Sequence, residues 1–200
     1  MKDKLDSLMS KFNTQPIFFI GSGLSRRYLD IEDWAGLLDH HAQMVTGDEF
    51  AFRMYENKAK SVGYKEGILP KIGDLIETDF NEKWFKDLKF RSSHNQYETR
   101  VKSGISPFKA EIAMFAESKS KEGYVKEYIE EIELLKKVSE KSVSAIITTN
   151  YDNLLESIFC GYDRYIGQEE LIFSTISGVG EIYKIHGCSS KPESIVLIRS

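Results

Sequence analysis

The sequence predicts an α/β fold with a mostly parallel sheet flanked by helices. Two observations carry that expectation. Short apolar runs lead straight into polar turns, and helical patterns follow those turns. Three polar clusters, GSGLS at 21–25, TTNYD at 148–152 and HG at 186–187, each stand at the end of such a run. In open parallel sheets ligands collect beyond the carboxyl ends of the strands, so the clusters mark a candidate site.

In chain order, MKDKLDSLMSKFN lacks the apolar core of a signal peptide. Its Leu5, Leu8, Met9 and Phe12 recur at helical spacing and predict a short amphipathic helix. Ile17 to Ile20, between Pro16 and Gly21, reads as a buried parallel strand ending in a turn. Trp34 to Val45 reads as a helix with Leu37, Leu38, Ala42 and Val45 on one side. Residues 46–140 read as a largely helical insertion. Helices are expected over 49–60, 67–78 and 107–117, broken by glycines and by the polar stretch RSSHNQYETR.

The strongest helical pattern covers 121–140, where Val125, Ile129, Ile132, Leu135 and Val138 fall at threes and fours. Its Glu and Lys residues form a solvated face with close ion pairs. Val143 to Ile147 is expected as a short buried strand, Thr148 to Asp152 as a turn, and Asn153 to Phe159 as the next helix. Glu181 to Ile185 reads as a strand running into His186-Gly187, and Ile195 to Ile198 as another. The chain stops just after that apolar run, so residues 1–200 are expected to be the N-terminal part of a longer chain.

Of the 200 residues, 41% are hydrophobic and 29% charged, an ordinary globular composition. The net charge of −4 gives no basic field to recruit nucleic acid. The two cysteines, Cys160 and Cys188, form no CxxC pair and no four-thiolate site, so no metal is expected and a reducing compartment is. No segment approaches the roughly 20 apolar residues that cross a bilayer. The expectation is a cytoplasmic domain with no membrane partner.

Each cluster has a chemical and a plainer reading. Gly21, Ser22, Gly23 and Ser25 suit a phosphate, because glycines let backbone N–H groups approach closely and hydroxyls add donors. They equally suit a tight turn, and the third glycine of GxGxxG is replaced by Arg26. The Asn150 amide can grip a ribose hydroxyl or a water, and the Asp152 carboxylate can receive an amide N–H. Either side chain can instead cap the following helix. His186 titrates near neutrality and can relay a proton, with Gly187 freeing the backbone beside it. His40, His41 and His94 lack such context and read as surface or packing residues.

Taken in order, the clusters resemble the SIR2 family: a GxGxS turn after the first strand, a TxNYD-type turn mid-chain, then K-[apolar]-HG. Here these are GSGLS, TTNYD and KIHG, the last at 184–187. EDWAGLLDHHA resembles the helix after the glycine turn in the SIR2-like bacterial subgroup, and VLIRS the strand after the histidine. The resemblance covers 15–45 and 142–200. It implies a Rossmann-like, NAD-binding domain. Sirtuin deacylases carry a zinc ribbon of paired CxxC motifs and a Gln where this chain has Thr149, so the resemblance points away from deacylation. It points to the SIR2-like NADases of bacterial anti-phage defence, which cleave NAD+ to nicotinamide and ADP-ribose in abortive infection.

By that resemblance the GSGLS backbone holds the pyrophosphate, Asn150 orients the nicotinamide ribose and the attacking water, and His186 accepts a proton. Thr149 and Asp152 complete the NAD+ contacts. A homo-oligomer is implied, with a sensor or NTPase module in the same longer chain or a partner protein. Relatives usually carry a second glycine-rich turn on the adenosine side, which this sequence lacks. ADP-ribosyl transfer and non-catalytic sensing of NAD or ADP-ribose stay open as alternatives.

Overall fold

The computed structural model describes residues 16–63, 67–139, 143–173 and 179–197. The expected N-terminal helix falls outside them.

The chain enters the sheet through β1 (Ile17–Ile20), and α1 (Ser22–Leu29) follows without a loop, capped by extended Gly21. Asp30 ends α1 in the left-handed conformation. Next comes α2 (Trp34–Thr46), whose N-cap Asp33 accepts from the Gly36 N–H and whose C-cap Gly47 has φ 76°. A run of helices follows: α3 (Ala51–Ser61), α4 (Ile68–Lys86), α5 (Leu88–Ser93), α6 (Glu98–Lys102) and α7 (Pro107–Glu122). After α8 (Ile129–Ser139) the chain returns to the sheet as β2 (Ala145–Thr148). The short α9 (Leu154–Ile158), β3 (Asp163–Ile166), α10 (Gly167–Phe173) and β4 (Glu181–Lys184) complete the fold.

All pairings in the four-stranded sheet are parallel, in the order β1-β2-β4-β3. The register aligns the carboxyl ends. Ile20 pairs with Thr148, Thr148 with Lys184, and Lys184 with Ile166. The residues that leave these strands, Gly21, Thr149 and Ile185, therefore emerge side by side. This is the parallel α/β arrangement with a helical insertion that the sequence predicts, the helical region forming the crossover from β1 to β2.

Two cores hold it together. One covers a face of the sheet, where Ile146 and Ile182 meet Leu29, Ile132, Leu154 and Ile158. The other lies inside the helical region, around Tyr55, Ile72, Ile76, Phe80, Tyr97 and Phe108. Ile195 and Leu197 belong to this second core, so the chain after β4 packs against the insertion rather than the sheet. That explains why the expected strand at 195–198 is absent over its described residues, 195–197.

Three other expectations are corrected. The IFFI run is not buried on both sides: β1 lies at the sheet edge, leaving Ile17 57% and Phe19 69% exposed, while Phe18 and Ile20 turn to the core. The helix expected over 121–140 starts at Ile129, because Gly123 (φ 86°) ends α7 and a 3-10 turn over Lys126–Tyr128 intervenes. The polar stretch 91–100 is mostly helical. Asp87 caps α5 by accepting from two backbone N–H groups, and Tyr97 is fully buried. The sequence reading also missed α1, β3 and α10. The histidines behave as packing and surface residues: His41 is buried, His94 packs on Phe90 and His40 is exposed.

Candidate functional site

The three sequence clusters meet at the carboxyl ends of β1, β2 and β4. Thr149, Asn150 and Asp152 leave β2, His186 leaves β4, and Ser22 and Ser25 stand on the first turn and a half of α1. All six line one cavity of about 270 Å³. Its size is just below the roughly 300–1,000 Å³ usual for small-molecule sites.

A chain of hydrogen bonds stitches the first two clusters together. Asn150 donates through Nδ2 to the Gly21 carbonyl (3.0 Å) and to Ser25 Oγ (2.8 Å). Ser25 Oγ donates onward to Asp152 Oδ2 (2.6 Å), and Asp152 Oδ1 accepts from the Leu154 N–H (3.0 Å). Asp152 thus braces the start of α9 from the residue before its N-cap, Asn153, and its other oxygen is used as well. Both amide protons of Asn150 are spent on the protein, so Oδ1 is the atom it can offer a ligand. Ser25 is 2% exposed and its single proton goes to Asp152, which makes it a bridge rather than a free phosphate donor.

The loop itself is braced. The Asn150 N–H donates to Thr148 Oγ1 (3.1 Å) and the Ser189 N–H to the Tyr151 carbonyl (2.8 Å). Tyr151 OH donates to the Val196 carbonyl (2.9 Å), and burial holds its pKa above the usual phenol range. Beyond β4 the His186 carbonyl accepts from the Val196 N–H (3.0 Å).

Two glycines differ in what they do. Gly187 has φ +92°, and a Cβ there would collide with the Ser194 carbonyl, so only glycine fits beside His186. Gly21 has an ordinary extended backbone (φ −107°), and a Cβ there would meet nothing within 4 Å. Gly21 is therefore not required by the turn; what it leaves is open space against the backbone at the start of α1. Gly23 also has open space, but it faces a shallow surface depression with Arg26, Arg27 and Tyr128, not the cavity.

Sequence reasoning missed the opposite wall. Trp34 and Leu37 from α2 and Ile112, Phe115 and Ala116 from α7 make it apolar. The α7 residues fall at helical spacing, a signal indistinguishable from ordinary core packing. Glu32, just before α2, adds a carboxylate at the rim. Among the described residues no group of His, Cys, Asp or Glu has the arrangement of a metal site, and no helix is long and apolar enough to cross a membrane.

Fold and cavity together define a parallel α/β domain with a candidate ligand site at its strand ends. Residues 144–200, the stretch that carries TTNYD and KIHG, match the family model of the SIR2-like domain. GSGLS lies outside the matched segment and is tied to it by the Asn150 and Ser25 hydrogen bonds. No curated protein matches the chain.

Proposed function

We propose that the domain is an NAD+ glycohydrolase that releases nicotinamide and ADP-ribose. The observation that carries the reading is the convergence of Ser22, Asn150 and His186 on one cavity, with Asn150 hydrogen-bonded to the Gly21 carbonyl, joined to the SIR2-like match over 144–200. The scissile bond links ribose C1′ to the pyridinium nitrogen. Nicotinamide departs neutral, so the step needs no general acid, and the oxocarbenium-like transition state needs orientation and matched charge.

Ser22 and the open backbone at Gly21 suit the pyrophosphate, at the start of a helix whose dipole favours an anion. Asn150 Oδ1 accepts from a ribose hydroxyl or the attacking water, since its N–H groups are taken. His186 takes the proton that water or ribose gives up. Asp152 holds the loop through Ser25. The apolar wall suits a flat aromatic base, and the attacking water belongs to the polar side with Asn150 and His186. The SIR2 resemblance extends the proposal to an oligomeric effector of anti-phage abortive infection.

The test is nicotinamide release from NAD+ by the purified protein, with Asn150→Ala and His186→Ala alongside. The expected loss is about 10²–10⁴ in rate for the His186 variant with the fold intact. ADP-ribose binding without nicotinamide release would replace catalysis by sensing. A parent rate in either variant would remove that residue's role.

A further inference from the structure

Lys184 is the last residue of β4, opposite Thr148 and Ile166, and its side chain is 0% exposed. A buried ammonium is expensive unless it is neutralised and hydrogen-bonded. Glu156 on α9 supplies the charge: its Oε1 lies 3.0 Å from Lys184 Nζ, an ion pair too poorly aligned to be a hydrogen bond. The aligned hydrogen bond goes elsewhere. Nζ donates to the main-chain carbonyl of Asp152.

An apolar side chain of similar length would fill this position with no charge to compensate. What lysine adds is a donor, and the donor reaches the loop that carries Asn150 and Asp152. The other braces on that loop act at the Asn150 N–H and side-chain amide, the Tyr151 carbonyl and hydroxyl, and the Asp152 carboxylate. Lys184 alone among the described residues ties the Asp152 peptide to the sheet by a side chain. The same strand delivers His186 two residues later.

We propose that Lys184 is a positioning residue that pins the Asp152 peptide to β4, keeping the Asn150 amide and the Asp152 carboxylate in register with both the Gly21 turn and His186. Glu156 neutralises it. The inference rests on the hydrolase reading only for its rate measurement.

The test compares the parent, Glu156→Gln and the double variant Lys184→Met/Glu156→Gln, which removes the donor without stranding a buried charge. Amide hydrogen exchange, kcat and KM for NAD+ are measured on each. In the double variant, exchange over 149–154 is expected to rise at least about tenfold with the remaining sheet protected. Its kcat is expected to fall about 10²-fold, the scale of a small misplacement of reacting groups, with KM changed far less. Glu156→Gln keeps the donor, since even a neutral amine donates, and retains at least about a tenth of the parent kcat. Unchanged exchange over 149–154 in the double variant overturns the proposal. So does a loss of protection spread across the whole sheet, which marks Lys184 as a packing residue. If the parent releases no nicotinamide, the hydrolase reading fails separately and the exchange comparison still decides.

Discussion

Ser25 and Asp152, 127 positions apart in the chain, share a 2.6 Å hydrogen bond that joins the glycine turn to the TTNYD loop. Ser25 Oγ also accepts from Asn150, so a single hydroxyl serves both residues of that loop. Ser25→Ala leaves a buried carboxylate oxygen and a buried amide proton without partners. The expected cost is about 1–3 kcal/mol in denaturant unfolding. Nicotinamide release should fall more steeply than stability does, because Asn150 loses its orientation. A Ser25→Ala protein with parental stability would show that water replaces the hydroxyl.

Gly21 and Gly187 should respond oppositely to alanine. At Gly187 the left-handed backbone and the Ser194 carbonyl both oppose a Cβ, and the expected loss is about 2–5 kcal/mol. At Gly21 the backbone is ordinary and the space open, so stability should change by no more than about 0.5 kcal/mol. If that space receives the ligand, Gly21→Ala still weakens ADP-ribose binding at least about tenfold in calorimetry. Parental affinity in Gly21→Ala would place the ligand elsewhere.

These contrasts show how much of the site the sequence disclosed. Strand ends announce themselves, because apolar runs stop abruptly at Gly21, Thr148 and His186, and parallel register then forces the neighbours together. The partners of each side chain were not legible. Nothing local to Asn150 says that its amide is spent on Gly21, or that Ser25 answers to Asp152. Helix α1 was missed because its first turn is Ser-Gly-Leu-Ser, residues that read as a loop until a sheet stands behind them. The cavity wall from α7 was missed for the reason that Ile112 and Ala116 look the same facing a core or facing a ligand.

His41 gives the fold a pH dependence of definite sign. Its Nδ1–H donates to the Leu37 carbonyl (2.7 Å), and Nε2 lies 3.9 Å from Glu111 Oε1. Burial lowers its pKa from 6.5 to about 4. The unfolded chain takes up this proton near pH 6.5 and the folded chain only near 4, so stability falls as pH drops through that window, by up to about 3 kcal/mol. Glu111 acts in the opposite sense. Burial raises its pKa, so the native state keeps a proton the unfolded chain has released, and that contribution weakens as pH rises above the ordinary glutamate range. Denaturation midpoints of His41→Gln should therefore vary less than the parent's between pH 6.5 and 4. Equal slopes would remove His41 from the account. Glu111→Gln should gain on the parent more at pH 8 than at pH 5.

The apolar wall can be tested by filling it. Ala116 is 5% exposed, faces the cavity from α7, and has Ile112 one turn before it. Ala116→Phe adds an aromatic ring to a space of about 270 Å³. Were the space a packing defect, filling it would raise the melting temperature and leave ligand affinity alone, since voids cost stability in proportion to their volume. Were it the seat of a nucleotide base, the ring would compete for the same volume, and ADP-ribose affinity should drop at least about tenfold while the melting temperature holds or rises. The second outcome is expected, because polar groups from three strand ends line the side opposite the ring, an arrangement that a void produced by poor packing has no reason to show.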